Sequence, residues 1–188
     1  MCNDACVNFV AATVRPDDVA GKDVIESGSY NVNGSVRPIF ERLKPNRYVG
    51  TDIRAGQDVD MICDAVNLID VFGKRSFDVL VSTEVLEHVA DWRAVITNYK
   101  RILRPNGVLF ITTRSLGFPY HEYPLDCWRF EVADMQAIFS DFEILALQSD
   151  PSDSSPGVFI KARRPKRYRE RNLKSVKLYS ITAQQREK

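Results

Sequence analysis

Short apolar runs rich in β-branched residues recur along the chain at Lys22–Ser27, Arg47–Ile53, Val59–Cys63, Phe77–Ser82 and Gly107–Thr113. Each is bounded by turn residues, so the pattern predicts five strands. Helical spacing appears between them, over Ser35–Leu43 before Lys44-Pro45, over Ala65–Phe72 before Gly73, and over Ala90–Leu103. The last of these carries Trp92, Val95, Ile96, Tyr99, Ile102 and Leu103 at offsets of three and four, an apolar stripe suited to packing on a sheet. Arg104-Pro105-Asn106-Gly107 then stops it. Strands alternating with helices predict a parallel sheet covered on both faces.

Beyond the fifth run the pattern changes. An aromatic loop spans Ser115–Phe130, followed by a short helix over Val132–Phe139 and two further apolar runs, Phe142–Gln148 and Val158–Ala162. The Asp-, Ser- and Pro-rich stretch from Ser149 to Gly157 between these runs suits an antiparallel hairpin at a sheet edge. The expected architecture is a three-layer α/β/α sandwich with a Rossmann-like, seven-stranded, mainly parallel sheet ending in that hairpin.

With 188 residues, 44% of them apolar, the chain can bury one continuous core. We expect one domain over residues 1–162 and a basic tail over residues 163–188. The formal charge of +1 conceals a division. The tail holds ten Lys/Arg against two Asp/Glu, a net +8, whereas the rest is −7. Clustered cations are the footprint of phosphate binding, so nucleic acid is one reading; the other is a solvated tail folding back on an acidic body. No run reaches the roughly 20 apolar residues that span a bilayer, and the Met1–Cys6 start lacks a secretion-signal pattern, so a soluble cytoplasmic protein without membrane contact is expected. Cys2, Cys6, Cys63 and Cys127 form no CxxC pair and are read as reduced thiols.

Candidate chemistry collects at the strand ends. After the first strand comes a loop with Glu26, Gly28 and Ser29, in which glycine allows a ligand to approach the backbone closely. Asp52 ends the second strand, 24 positions after Gly28, beside Ile53. A carboxylate about 20 residues beyond such a loop can accept hydrogen bonds from both ribose hydroxyls. Asp64 and Ala65 follow the third strand, where Asp64 is also a helix N-cap candidate. The fourth strand runs through Thr83 into Glu84-Val85-Leu86-Glu87-His88.

This ordered set resembles the class I S-adenosylmethionine-dependent methyltransferases, in the branch whose fourth strand runs into Glu-Val-Leu-Glu-His. The resemblance covers roughly residues 20–162. It implies S-adenosylmethionine as cofactor, with Glu26, Gly28 and Ser29 near its amino-acid part, Asp52 and Ile53 at the ribose, Asp64 and Ala65 at the adenine, and Thr83 nearby. The loop departs from GxGxG, because Tyr30 and Val32 stand at the later glycine positions. A nicotinamide dehydrogenase uses a similar ribose-binding acid, yet needs the three-glycine fingerprint for a pyrophosphate.

The substrate side falls on two segments. On one helical turn, Glu84, Glu87 and His88 would share a face. A similar Glu-x-x-Glu-His with a later histidine holds a divalent metal in small-RNA 2′-O-methyltransferases. Here the set would be Glu84, Glu87, His88 and His121, against a reading without metal in which these groups hydrogen-bond within the loop, and the latter is our expectation. Residues 118–130 resemble the His-x-Tyr-Pro-x-Asp-x-Trp-Arg-Phe loop of bacterial methyltransferases, several of them linked with sugars or small metabolites. The expected substrate pocket comprises Glu84, His88, Tyr120, Tyr123, Trp128 and Arg129, with His121 as catalytic base. Arg129 would pair with an anionic substrate group or with Asp126. The function implied is methylation of a hydroxyl on a small molecule or saccharide. A silent cofactor-binding protein and an RNA 2′-O-methyltransferase are the alternatives.

Overall fold

The computed structural model describes residues 4–122, 124–150 and 155–188. Its strands are β1 (Asp23–Ser27), β2 (Arg47–Asp52), β3 (Met61–Ile62), β4 (Phe77–Thr83), β5 (Leu103–Arg114), β6 (Trp128–Arg129), β7 (Glu143–Ser149), β8 (Gly157–Arg163), β9 (Tyr179–Ser180) and β10 (Gln185–Arg186). The helices are α1 (Asp4–Thr13), α2 (Pro16–Val19), α3 (Arg37–Arg42), α4 (Leu68–Phe72), α5 (Trp92–Ile102) and α6 (Val132–Ile138).

Seven strands form one sheet in the order β3-β2-β1-β4-β5-β8-β7. The first five pair in parallel, while β8 runs antiparallel to both β5 and β7. The expected Rossmann-like sandwich with its terminal hairpin is the one observed. Alternation along the strands explains the layers, since successive side chains point to opposite faces. Ile25, Leu80, Leu109, Ile111 and Ile160 pack with α5 and α6 on one face. Val24, Val79, Val81, Val108, Phe110 and Phe159 pack with α1 and α3 on the other.

α5 shows how sequence becomes packing. Asp91 caps it by accepting from the Ala94 amide at 3.0 Å, and Trp92, Val95, Ile96, Tyr99 and Ile102 are all essentially inaccessible. Burying each large apolar side chain contributes roughly 1.5–3 kcal/mol. Lys100 also lies inside, held by the Ile138 carbonyl at 2.6 Å and by Asp141 at 2.7 Å, which ties α5 to the end of α6.

Several elements depart from the pattern reading, among them α1, the start of β5 and the segment beyond Arg163. α1 was not expected, yet Cys6, Phe9 and Val10 at helical spacing bury against the sheet. Arg104–Asn106 bulges within β5, with Asn106 at φ +65°, and the register jumps from Phe77 opposite Leu103 to Val79 opposite Val108. The residues beyond Arg163 return to the body: Leu173, Val176 and Leu178 join the core, and β9 pairs with both β6 and β10. Glu187 meets Arg93 at 2.7 Å and Arg186 meets Asp134 at 2.9 Å. No helix among the described residues is long and apolar enough to cross a membrane. Cys63 and Cys127 are free thiols, and Cys6 Sγ donates to a Glu84 carboxylate oxygen at 3.3 Å; Cys2 lies outside the described residues.

Candidate active site

The chain leaves β1 to build β2 and β3 on one side, then returns to build β4 on the other. Ligands of open α/β sheets sit at such a reversal, outside the carboxyl ends of the strands. A cavity of about 490 Å³ opens there, within the usual range for small-molecule sites. Its wall includes Glu26, Gly28, Ser29, Asp52, Ile53, Asp64, Ala65 and Thr83, so all eight expected cofactor residues line one space.

Local structure puts each of them there. Gly28 has φ +80°, and a Cβ on it would meet Val85 Cγ2 at 2.1 Å, so the β1 loop passes against the β4 loop only because the side chain is absent. The Gly28 and Ser29 amides both donate to the Thr51 carbonyl, at 2.8 and 3.0 Å. Asp52 accepts from the amides of Tyr30 at 3.3 Å and Arg54 at 3.1 Å, which fixes its carboxylate while leaving lone pairs for a further donor. Asp64 caps the 3₁₀ turn Ala65–Asn67 through the Val66 amide at 3.1 Å and also lines the cavity. Glu26 is buried and accepts from the Tyr48 hydroxyl at 2.7 Å. Burial pushes its carboxyl up to about 7, against the opposing pull of that hydrogen bond.

The departures from the glycine pattern are accommodated. Tyr30 covers Gly56, where a Cβ would lie 2.3 Å from the tyrosine ring, and both Tyr30 and Val32 line the cavity.

On the opposite wall the expected grouping divides. Glu84 has φ +58°, which ends any helical turn, and only Leu86–His88 forms a 3₁₀ turn. Glu84 still borders the cavity, but its carboxylate pairs with Arg114 Nε and accepts from Cys6 Sγ at 3.3 Å. Glu87 is inaccessible, with one oxygen accepting from the Thr113 hydroxyl at 2.8 Å. His88 Nδ1 contacts the Leu125 carbonyl, and its ring meets His121 edge to face at 4.8 Å. His121 Nδ1 lies 3.2 Å from Asp126 Oδ2. Burial lowers the His121 pKa below its ordinary value, opposed by Asp126 and Glu87.

Glu84, His88 and His121 therefore share the cavity, joined by Val85, Val89, Pro124 and Leu125, which the sequence reading missed. Trp128 and Arg129 lie outside its wall. Trp128 donates to the Val89 carbonyl at 2.8 Å, and Arg129 forks onto Asp126 at 2.5 and 2.7 Å while reaching the Phe118 and Pro119 carbonyls. Arg129 thus pairs with Asp126 within the chain. Tyr120 is 61% exposed and also outside the wall; Tyr123 falls outside the described residues.

Residues 7–147 match the methyltransferase domain family. The chain belongs to the class I S-adenosylmethionine-dependent methyltransferases. Over 70 residues it is 33% identical to a ubiquinone biosynthesis O-methyltransferase of Parvibaculum lavamentivorans, which is 37% of this chain and 27% of that protein. A relative of the same name from Histophilus somni is 43% identical over 44 residues, 23% of this chain and 18% of that one. The match spans about a quarter of the length of these relatives or less. By shape, the chain is similar to the 1,6-didemethyltoxoflavin-N1-methyltransferase of Burkholderia thailandensis, solved with S-adenosylhomocysteine. That likeness has a TM-score of 0.65 at 14% identity and covers 87% of this chain and 80% of that one. An S-adenosylmethionine-dependent methyltransferase from Mesorhizobium loti gives the same TM-score at 16% identity, with 86% and 99% covered.

S-Adenosylmethionine suits the residues present in this methyltransferase. Ser29 Oγ is buried on the cavity wall without a hydrogen-bond partner among the described residues, a group that a polar ligand would satisfy. The Asp52 and Asp64 carboxylates have acceptor capacity for ribose hydroxyls and an adenine amino group.

Proposed function

We propose that this methyltransferase acts on a hydroxyl of a small, uncharged molecule bound beside His121. The reading rests on one observation: His121 lines the same cavity as Asp52 and Asp64, so an acceptor at the imidazole shares a space with the cofactor residues. The O-methyltransferase relatives support a hydroxyl acceptor. Charge supports a neutral one. Among the described residues Arg54 is the cation on the cavity wall, beside Asp52, whereas Arg114 and Arg129 are engaged by Glu84 and Asp126. An anionic acceptor would then be desolvated without a counter-charge.

When bound, the cofactor would supply an electrophilic methyl carbon on a sulfonium, open to in-line attack by an acceptor oxygen with the thioether departing. The chain's contribution is alignment and exclusion of water. Asp52 and Asp64 orient the nucleoside. Val85, Val89, Pro124 and Leu125 make the acceptor side apolar. His121 accepts the acceptor's hydroxyl hydrogen, its ring held by Asp126, His88 and Phe118.

The test pairs calorimetry with turnover. S-Adenosylhomocysteine should bind wild type and His121→Ala alike, while His121→Ala lowers methyl transfer across a panel of phenols, catechols and sugars. Equal turnover by the two proteins removes His121 from the mechanism. Preference for phosphorylated over neutral acceptors would overturn the charge argument.

A further inference from the structure

Arg114, the last residue of β5, is buried and does not line the cavity. We propose that it is a positioning residue for the acceptor site. The edge of its guanidinium holds the Glu84 bend, and its face holds the Phe118 ring against which His121 packs. For its effect on turnover this inference rests on the reading of His121 as the group beside the acceptor; the placement of His121 does not depend on that reading.

The edge meets two segments. Glu84 stands at φ +58°, a conformation that a glutamate keeps only where its surroundings over-determine it. Those surroundings are the Thr112 carbonyl, which accepts the Glu84 amide at 2.9 Å, and Arg114 Nε, which pairs with the carboxylate. The bend matters because the next residue, Val85, lines the cavity and packs against Gly28. Arg114 Nη1 donates to Ser155 Oγ at 2.9 Å and lies 3.7 Å from Asp150 Oδ2, so the connection between β7 and β8 is tied to the same side chain.

The face meets the acceptor loop. The guanidinium carbon lies 4.2 Å from the centre of the Phe118 ring, well within the reach of a cation over an aromatic face. Phe118 in turn meets the His121 imidazole edge to face, with the ring centres 4.8 Å apart and the planes at 73°. Residues 115–122 contain no helix or strand, so ring contacts of this kind, with the Asp126 pair, set where the imidazole stands. Phe118, like Arg114, is absent from the cavity wall, which makes the pair a support and not a contact for ligand. Arginine suits the position because a planar guanidinium offers donors at its edge and a flat face at once, whereas an ammonium offers only a point charge.

The experiment uses two full-length variants. Arg114→Lys keeps a charge for Glu84 but gives Phe118 no planar partner. The double variant Arg114→Met with Glu84→Gln removes both members of the buried pair, so neither charge is stranded. S-Adenosylhomocysteine binding reports folding, and either variant that binds within about threefold of wild type serves. On the neutral acceptor turned over fastest, kcat should fall roughly 10–100-fold with KM changed far less, as when a reacting group is displaced. In a His121→Ala background the same substitution should alter kcat less than about twofold, because nothing remains to be positioned. The chain has two histidines, so the imidazole proton resonances of His121 are assigned by their loss in His121→Ala, and they should shift in the Arg114 variants. Resonances unmoved in a folded variant, kcat unchanged in it, or a kcat fall of full size without His121 would each overturn the inference. If His121→Ala turns over as fast as wild type while the Arg114 variants still shift the His121 resonances, the functional reading fails and the positioning role stands.

Discussion

Gly28→Ala is the substitution whose outcome the structure constrains most closely. The residue has φ +80°, and the new Cβ would sit 2.1 Å from Val85 Cγ2, well inside any real contact. Two separate penalties follow. The left-handed backbone costs an L-residue roughly 1–2 kcal/mol. Overpacking against Val85 adds about 1–3 kcal/mol, because the β4 loop must shift by more than an ångström. We expect a total loss of about 2–5 kcal/mol in urea unfolding, together with weaker S-adenosylhomocysteine binding, since both loops line the cavity. Val85→Ala separates the terms. It removes Cγ2 and leaves Val85 Cβ at 3.5 Å, an ordinary contact, so the double variant should recover the packing part and retain the backbone part. The cycle should show a favourable coupling of about 1–3 kcal/mol. Strictly additive effects would refute the clash, and a neutral Gly28→Ala would refute the whole account of the loop.

The other expectations concern the walls of the same cavity. Asp52→Asn retains the shape of a side chain that accepts from two amides but removes its charge, so S-adenosylhomocysteine affinity by calorimetry should fall by roughly 1–3 kcal/mol; unchanged affinity would dissociate Asp52 from the ribose. Glu26, raised to about 7 by burial, binds its proton more tightly folded than unfolded, so its contribution is complete below about pH 4.5 and fades as pH rises to about 7. Glu26→Gln should therefore flatten the loss of stability between those values, by up to about 3 kcal/mol, and an unaltered pH profile of unfolding would count against the buried carboxyl. The Tyr99 hydroxyl donates to Ser27 Oγ at 2.9 Å and lies 3.0 Å from Ser82 Oγ, bridging β1 and β4 from α5. Tyr99→Phe strands both serines and should lower stability by about 1–3 kcal/mol in denaturant unfolding, whereas a change under half that size would show that they find other partners.

Most of the sheet was legible because its signals are local. The runs around Ile25, Leu80 and Ile111 announce buried strands, and the apolar stripe from Trp92 to Leu103 announces α5. Signals spread over distance were not read. α1 has three buried apolar residues, Cys6, Phe9 and Val10, and becomes meaningful only against Phe159 and the other side chains of its face. Likewise Leu173, Val176 and Leu178 are sparse among cations, yet they bury because β9 adds to Trp128–Arg129. The positive segment that suggested a phosphate-binding tail spends Arg186 on Asp134, and its Glu170 engages Arg101. Its charge balance was visible in the composition; its partners were not.

The acceptor wall shows why spacing alone misassigns chemistry. Offsets of three and four put Glu84, Glu87 and His88 on one face only if the backbone is helical throughout. A single residue at φ +58° breaks that premise and sends Glu84 to Arg114, while the following 3₁₀ turn brings His88 beside Glu87. His121 completes the group from a loop 33 positions later, held by Asp126, which Arg129 fixes in turn. The Asp126–Arg129 pair and the imidazole it supports are thus one construction. On the proposed reading Arg129 would bear on an acceptor only by fixing the Asp126 beside His121, a division of labour that the loop motif contains but cannot display without its fold.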